Sequence, residues 1–215
     1  MASAVLFDID GTILDANLSI RDTMNRVLFE RGQPTFTKAE LDGLIGNPLR
    51  VILAEKCKDP AMVEAMVPRY RTFYGESGWV LADLFPGIHD LVLRLRAHGV
   101  RTGIVTSKGQ GEAEKLLADL GIADLFDAVV GDDDVRPLKP DPAPLRHACG
   151  LLAVPASDTA MAGDTRFDVL AAKAAGVQAV GVLWGNGSRA ELEQAGADLV
   201  ARDVQELGRL LSGRA

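Results

Sequence analysis

Short apolar, β-branched runs recur along the chain at Ala4–Phe7, Val100–Val105, Ala128–Val130, Thr159–Ala162 and Val177–Leu183, each bounded by turn residues. Runs of this length without polar alternation predict strands buried on both faces. Helical patterns separate most of them. Ile88, Leu91, Val92 and Leu95 repeat at helix spacing after Pro86-Gly87, and Gly99 ends that run. Ala113, Leu116, Leu117 and Leu120 form the apolar face of a helix over Gly111–Leu120, with Gly121 as its stop. Strand alternating with helix selects the α/β class, a Rossmann-like parallel sheet in a three-layer α/β/α core.

One connection breaks the rhythm. Between Asp15 and Phe85 there is no strand pattern, only helix-like segments at Ile20–Arg31, Thr37–Leu44, Leu49–Lys56 and Ala61–Tyr74. Thr37-Lys38-Ala39-Glu40 has the form of a capping box, which starts one of them. A crossover between parallel strands needs only about a dozen residues, so this stretch is several times too long for a connection. The expected division is a core of residues 1–15 and 86–215 carrying an inserted α-helical cap domain, residues 16–85, hinged near Asp15–Asn17 and Phe85–Gly87.

Composition removes several classes. With 47% hydrophobic and 25% charged residues, the chain buries enough apolar surface to fold. A net charge of -7 and the lack of a basic run argue against nucleic acid as a partner. Cys57 and Cys149 make no disulfide framework and no metal-ligand spacing. No cationic leader opens the chain, and Val169–Trp184 is interrupted by Lys173, Gly176 and Gln178, so no membrane partner is expected. The expected location is the cytoplasm, as a monomer or homodimer.

Polar residues stand where the apolar runs end. Asp8 follows Phe7, Thr106-Ser107 follow Val105, Asp164 follows Gly163, and Lys139-Pro140 lie a few residues beyond Val130. In a parallel sheet the carboxyl ends gather at one edge, where open α/β proteins bind ligands, so these residues should meet. Helices starting just beyond would add N–H donors suited to an anion. Asp8, Asp10, Asp164 and Asp168 supply the hard oxygen ligands that Mg²⁺ takes along with water and a phosphate. Crowded carboxylates repel one another unless a bound cation or a lysine compensates them, and Lys139 is at hand.

Asp8-Ile9-Asp10-Gly11-Thr12-Ile13-Leu14-Asp15 resembles the first motif of the haloacid dehalogenase-like hydrolases, in which Asp-x-Asp-Gly-Thr follows a buried strand. Val105-Thr106-Ser107-Lys108 resembles the second motif, Lys139-Pro140-Asp141-Pro142 the third, and Gly163-Asp164-Thr165-Arg166-Phe167-Asp168 the fourth. Their order is the family's, and the helical insertion falls where the family carries a cap. The segment Trp184–Leu199 looks like the tail of the phosphoglycolate phosphatase-like branch.

The resemblance implies a Mg²⁺-dependent phosphatase acting on a small phosphorylated metabolite. It makes Asp8 the nucleophile that forms an aspartyl-phosphate, and Asp10 the acid and then the base. It assigns the metal to the Asp8 carboxylate, the Asp10 main-chain carbonyl and Asp164, with Asp168 behind them. Thr106 and the Ser107 N–H would bind phosphate oxygens, Lys139 would screen charge, and Gly11 would let the chain turn around the phosphate. Asn47-Pro48-Leu49-Arg50 resembles a cap segment of the same branch, which makes Arg50 a specificity candidate; Arg69, Tyr70, Arg71 and Tyr74 are further cap residues that could face substrate. Ala16 stands where serine is frequent in that branch, a departure that bears on the substrate rather than on the chemistry.

Plainer accounts exist for single residues. Asp8 and Asp10 could form a solvated Asp-Gly turn, Asp164 and Asp168 could favour a helix dipole, Thr106 and Ser107 could cap a helix, and Lys139 could be a loop cation. Gly185-Asn186-Gly187-Ser188-Arg189-Ala190 matches a dinucleotide fingerprint but follows the last long strand instead of opening the first βαβ unit, and Ser188 to Glu191 forms a capping box. His89, His98 and His147 lie on helical patterns without a chemical role. Rival functions are a sugar-phosphate mutase, which returns the phosphoryl group to substrate, a phosphoacceptor signalling domain, and a binding module without turnover.

Overall fold

A computed structural model describes residues 2–76, 78–132 and 135–212. The chain divides into two compact units, residues 1–14 with 84–215, and residues 15–83.

In chain order the elements are β1 (Ala4–Phe7), β2 (Leu14–Asp15), α1 (Asn17–Glu30), α2 (Lys38–Asp42), α3 (Leu49–Lys56), α4 (Pro60–Glu76), β3 (Asp83–Leu84), α5 (Ile88–Ala97), β4 (Arg101–Val105), α6 (Gln110–Asp119), β5 (Ala128–Val130), α7 (Ala143–Leu152), β6 (Thr159–Gly163), α8 (Arg166–Ala175), β7 (Gln178–Val182), α9 (Arg189–Gln194), β8 (Leu199–Ala201) and α10 (Val204–Leu211).

The α/β class is as the apolar runs predict. A six-stranded sheet in the order β5-β4-β1-β6-β7-β8 forms the centre of the first unit, and its strand pairs are parallel. The chain steps outward from β1 to β4 and β5, then crosses to the other side of β1 for β6, β7 and β8. That reversal puts the topological switch point at the end of β1, where such sheets bind ligands. Helices flank the sheet, as connections between parallel strands require. On one face α7 and α8 pack together, burying Leu145, Ala148, Leu152, Val169, Ala171 and Ala172 against Ala4, Leu6, Val105, Val130 and Met161. Elsewhere α5 packs on β4 and on α10.

The apolar faces explain why these helices form where they do. Ile88, Leu91, Val92 and Leu95 of α5 are all buried, as their spacing predicts, and Gly99 past its end takes a left-handed φ of 79°. Two features escape the apolar pattern. The edge strand β8 has only three residues, Leu199–Ala201, too short for a run to stand out. The two-residue strands β2 and β3 pair with each other in a separate sheet, in a stretch that reads from sequence as strand-free at its Asp83–Leu84 end.

The second unit is helical, from α1 through α4. Its interior holds Met24, Val27, Leu28, Leu41, Leu53, Met66, Val67, Phe73 and Tyr74. The capping box at Thr37 and Glu40 forms as its spacing predicts, with the Glu40 N–H donating to Thr37 Oγ1 at 3.3 Å and the Thr37 N–H to Glu40 Oε2 at 2.8 Å. The unit boundaries, Leu14/Asp15 and Asp83/Leu84, lie one and two residues from the sequence-based division.

Candidate active site

Strand register sets the site. Phe7 of β1 is level with Ile104 of β4 and Ala162 of β6, so the next residues, Asp8, Val105 and Gly163, end their strands together. The Asp8 N–H still donates to Ala162 O at 3.0 Å, which fixes its backbone as an extension of the sheet. One residue further stand Thr106 and Asp164, both buried.

Lys139 reaches into this edge from the loop between β5 and α7. Its Nζ donates to Asp8 Oδ1 at 2.9 Å, to Asp168 Oδ1 at 2.6 Å and to the Val105 carbonyl at 2.9 Å, which uses all three of its protons. It is therefore no loop cation. Asp168 stands in the first turn of α8 and does double duty. Its Oδ2 accepts from the Thr165 N–H and hydroxyl at 3.1 and 2.7 Å in a capping box, while Oδ1 holds Lys139.

Asp8, Asp164 and Asp168 each offer an oxygen within 4.8 Å of the others, and all three are buried. One ammonium cannot balance three carboxylates. Burial pushes Asp8 up to about 7, with the charges of Asp168 and Asp10 adding to it and Lys139 opposing it. Burial likewise pushes Asp164 up to about 8, helped by Asp168 and Asp8 and opposed by its bonds from Asn186. Burial acts to lower the Lys139 ammonium, but the carboxylates of Asp168 and Asp8 outweigh it and drive its pKa up. The donor set is all hard oxygen with an excess of negative charge, which fits a divalent cation such as Mg²⁺.

Gly11 fits the turn expected of it. Its φ is +78°, and a Cβ there would stand 2.1 Å from Asp164 Oδ2, so only glycine lets the loop approach. Thr106 is buried with its N–H on the Val130 carbonyl, and its Oγ1 accepts from the Lys108 N–H at 3.2 Å. Ser107 beside it is half-buried. Neither caps a helix, because α6 begins at Gln110 with Gly109 as its N-cap. The helix thus starts one residue before the Gly111 expected from its apolar face, and a loop presents Thr106 and Ser107.

Two expected site residues form ion pairs of their own. The Asp10 side chain lies outside the carboxylate cluster and pairs through Oδ2 with Lys108 Nζ at 3.0 Å. Arg50 lies on α3 of the helical unit, where its Nε is 2.6 Å from Glu64 Oε1 and its side chain is 42% exposed.

Three further residues complete the edge. Asn186, beyond β7, gives Asp164 Oδ2 two hydrogen bonds, from its backbone N–H at 2.7 Å and from Nδ2 at 3.0 Å. Trp184 Nε1 donates to the Thr12 carbonyl at 3.0 Å, tying the same loop to the Asp-x-Asp turn. Lys108 is buried beside Asp10. The rule that polar residues at strand ends meet applies to Asn186 as well as to Asp164. The resemblance of 185–190 to a dinucleotide fingerprint draws attention to its glycines for a different reason. Gly187 is required because a Cβ there would stand 2.1 Å from the Asp164 carbonyl, which the Gly187 N–H bonds at 3.0 Å.

Comparison with known proteins gives concordant results. The family model for haloacid dehalogenase-like hydrolases matches residues 5–182. A plasmid-encoded phosphoglycolate phosphatase of Cupriavidus necator is 34% identical over 98% of this chain and 93% of its own length. A phosphoglycolate phosphatase of Xanthomonas campestris pv. campestris is 38% identical over 85% of this chain and 83% of its own. Among solved structures, a haloacid dehalogenase-like family hydrolase of Streptococcus pneumoniae aligns with a TM-score of 0.85 at 28% identity, covering 98% of this chain and 97% of that one. No helix among the described residues is long and apolar enough to cross a membrane.

Proposed function

We propose, from the premise that this chain belongs to the haloacid dehalogenase-like hydrolases and is a phosphatase, that it hydrolyses small phosphate monoesters through an aspartyl-phosphate on Asp8. The observation that carries this reading is the buried Asp8–Lys139–Asp168 bridge beside Asp164, a concentration of acid at the sheet's switch point that exceeds its lysine. Phosphoglycolate is the first candidate substrate, because relatives similar over most of the chain carry that name.

Asp8 Oδ attacks phosphorus in line, the bond from phosphorus to the leaving oxygen breaks, and Asp10 gives that oxygen a proton. Water then attacks the aspartyl-phosphate, Asp10 takes its proton, and Asp8 is released. Lys139 holds the Asp8 carboxylate in one orientation and offsets charge as the anionic phosphoryl group arrives. Thr106 and the Ser107 N–H bind the phosphoryl oxygens in this proposal. The Asp8 carboxylate, the Asp10 main-chain carbonyl and Asp164 would hold Mg²⁺, with Asn186 fixing Asp164 and Asp168 fixing Lys139. When bound, the ion neutralises the excess carboxylate charge and polarises the phosphoryl group. The helical unit, residues 15–83, enters as the cap that selects among phosphate esters, with Arg50 as its candidate. Its Cys57 and the core's Cys149 are both free, in keeping with a cytoplasmic enzyme.

Substituting Asp8→Asn tests the chemistry on a panel of phosphoglycolate, sugar phosphates and nucleotides with Mg²⁺. Turnover is expected to fall by at least about 10³-fold on every ester, as loss of a nucleophile demands. Retention of most of the activity would remove Asp8 from its role.

A further inference from the structure

Half-buried Asp10 and buried Lys108 form a second acid–base pair next to the one between Asp8 and Lys139. Lys108 Nζ lies 3.0 Å from Asp10 Oδ2 and 3.8 Å from Glu112 Oε1, with side-chain exposures of 6% for Lys108, 14% for Asp10 and 11% for Glu112. Its backbone is fixed on both sides. The Lys108 N–H donates to Thr106 Oγ1 at 3.2 Å, and its carbonyl accepts from the Asp132 N–H at 2.7 Å. The ammonium is thus held between an acid of the Asp-x-Asp turn and one in the first turn of α6. The other oxygen of Asp10, Oδ1, is buried and has no hydrogen-bond partner among the described residues.

A buried carboxylate oxygen without a partner carries a desolvation cost that native structures rarely leave standing without a reason. A short carboxylate stem can still turn about its side-chain torsions. Anchoring one oxygen by a charge-assisted bond decides where the other points. We infer that Lys108 is the positioning residue for Asp10: it pins Oδ2 and so presents Oδ1 as the oxygen that exchanges a proton with the leaving group. Glu112 keeps the ammonium from swinging away. The two acids of the Asp-x-Asp turn therefore each have a lysine of their own, Lys139 orienting the nucleophile and Lys108 orienting the acid. This rests on the reading of Asp10 given above.

The test exploits the leaving group. An alkyl phosphate needs a proton on its departing oxygen, whereas p-nitrophenolate departs without one. In single turnovers with enzyme in excess, only transfer to Asp8 releases the alcohol, so the acid's contribution is read alone. Lys108→Met is expected to slow release from phosphoglycolate by about 10²-fold and from p-nitrophenyl phosphate by less than about fivefold, with half-saturation within about twofold. Lys108→Gln keeps an N–H donor of similar reach, so it should recover part of the loss; should the Met variant not fold, the same two-ester comparison on the Gln variant decides. Equal losses on both esters, no loss, or weakened saturation at an intact rate would overturn the inference, the last by making Lys108 a substrate contact. Asp10→Asn serves as the reference. If it shows the ester-dependent loss and the Lys108 variants do not, only the role of Lys108 fails. If it shows none, the reading of Asp10 itself fails.

Discussion

The two units treat charge in opposite ways. The α/β unit buries Asp8, Lys108, Asp132, Asp164 and Asp168, whereas the buried polar side chains of the helical unit among the described residues are Ser19 and Thr23. The helical unit keeps its ions on the outside, in pairs such as Arg50–Glu64, Arg69–Glu30, Lys56–Glu40 and Lys38–Asp42. Surface pairs of that kind each contribute about 0–1 kcal/mol, while a buried charge without its partner costs several. A protein retains buried ions where something other than stability requires them. The contrast therefore separates a unit shaped by packing from one that keeps an excess of buried carboxylate at its core edge.

The sharpest way to break that contrast is Lys139→Met. It removes the cation bonded to Asp8, Asp168 and Val105 while keeping the length of the stem. Stability is expected to drop by about 3–5 kcal/mol in the absence of divalent cation, the range for stranding a buried charge. Turnover should fall by about 10²–10³-fold, comparable to losing a donor that stabilises a developing anion. Denaturant unfolding beside steady-state rates checks both. A variant with unaltered stability would mean that the acidic edge needs no compensation, and the comparison between the units would lose its basis.

A second test reads the excess charge directly through pH. In the folded protein without a metal, Asp8 sits at about 7 and Asp164 at about 8, against an ordinary value of 3.8. The folded state then holds protons that the unfolded chain has released, so stability falls as pH rises from about 4 to about 8 and levels off above that. Mg²⁺ bound by the carboxylates favours their ionised forms and opposes the fall. The difference in thermal midpoint between Mg²⁺-loaded and chelated protein should widen from pH 5 to pH 8. A difference that is constant with pH would show that these carboxylates do not share the cation. Glu40 of the helical unit, held down to about 2 by its bonds from Lys56 and Thr37, is ionised throughout that window and adds nothing to it.

How much of this the amino-acid order reveals depends on how local each signal is. The strands that carry Asp8 and Asp164 are continuous apolar runs, and a parallel sheet has only one edge at which their carboxyl ends can meet. Asp8, Asp164, Lys139 and Asp168 are therefore brought together as their positions imply. Asn186 is less legible. Its loop has the composition of an ordinary turn, and its value comes from the two bonds it gives Asp164 across the sheet. Lys108 is harder still, since a lysine one residue past Ser107 would normally be solvated, whereas here it is buried with its ammonium between Asp10 and Glu112. The strand β8 is illegible for a different reason, as three residues are too few to establish a period.

The smallest expected effects fall in the helical unit, and they decide whether that unit contributes chemistry at all. Glu64→Ala removes one half of an exposed pair, so stability should change by less than about 1 kcal/mol. Arg50→Ala removes the same pair from its other side and should cost no more in folding. If the pair were merely structural, the two variants would be kinetically alike. If Arg50 selects substrate, Arg50→Ala raises KM for phosphoglycolate by about tenfold, or about 1.4 kcal/mol, at unchanged kcat, while Glu64→Ala leaves KM the same or lower because the guanidinium remains. The expected result is the second, an asymmetry between two residues that share one ion pair. Identical kinetics in both variants would return the helical unit to a packing role and leave the recognition of the ester to the strand-end edge.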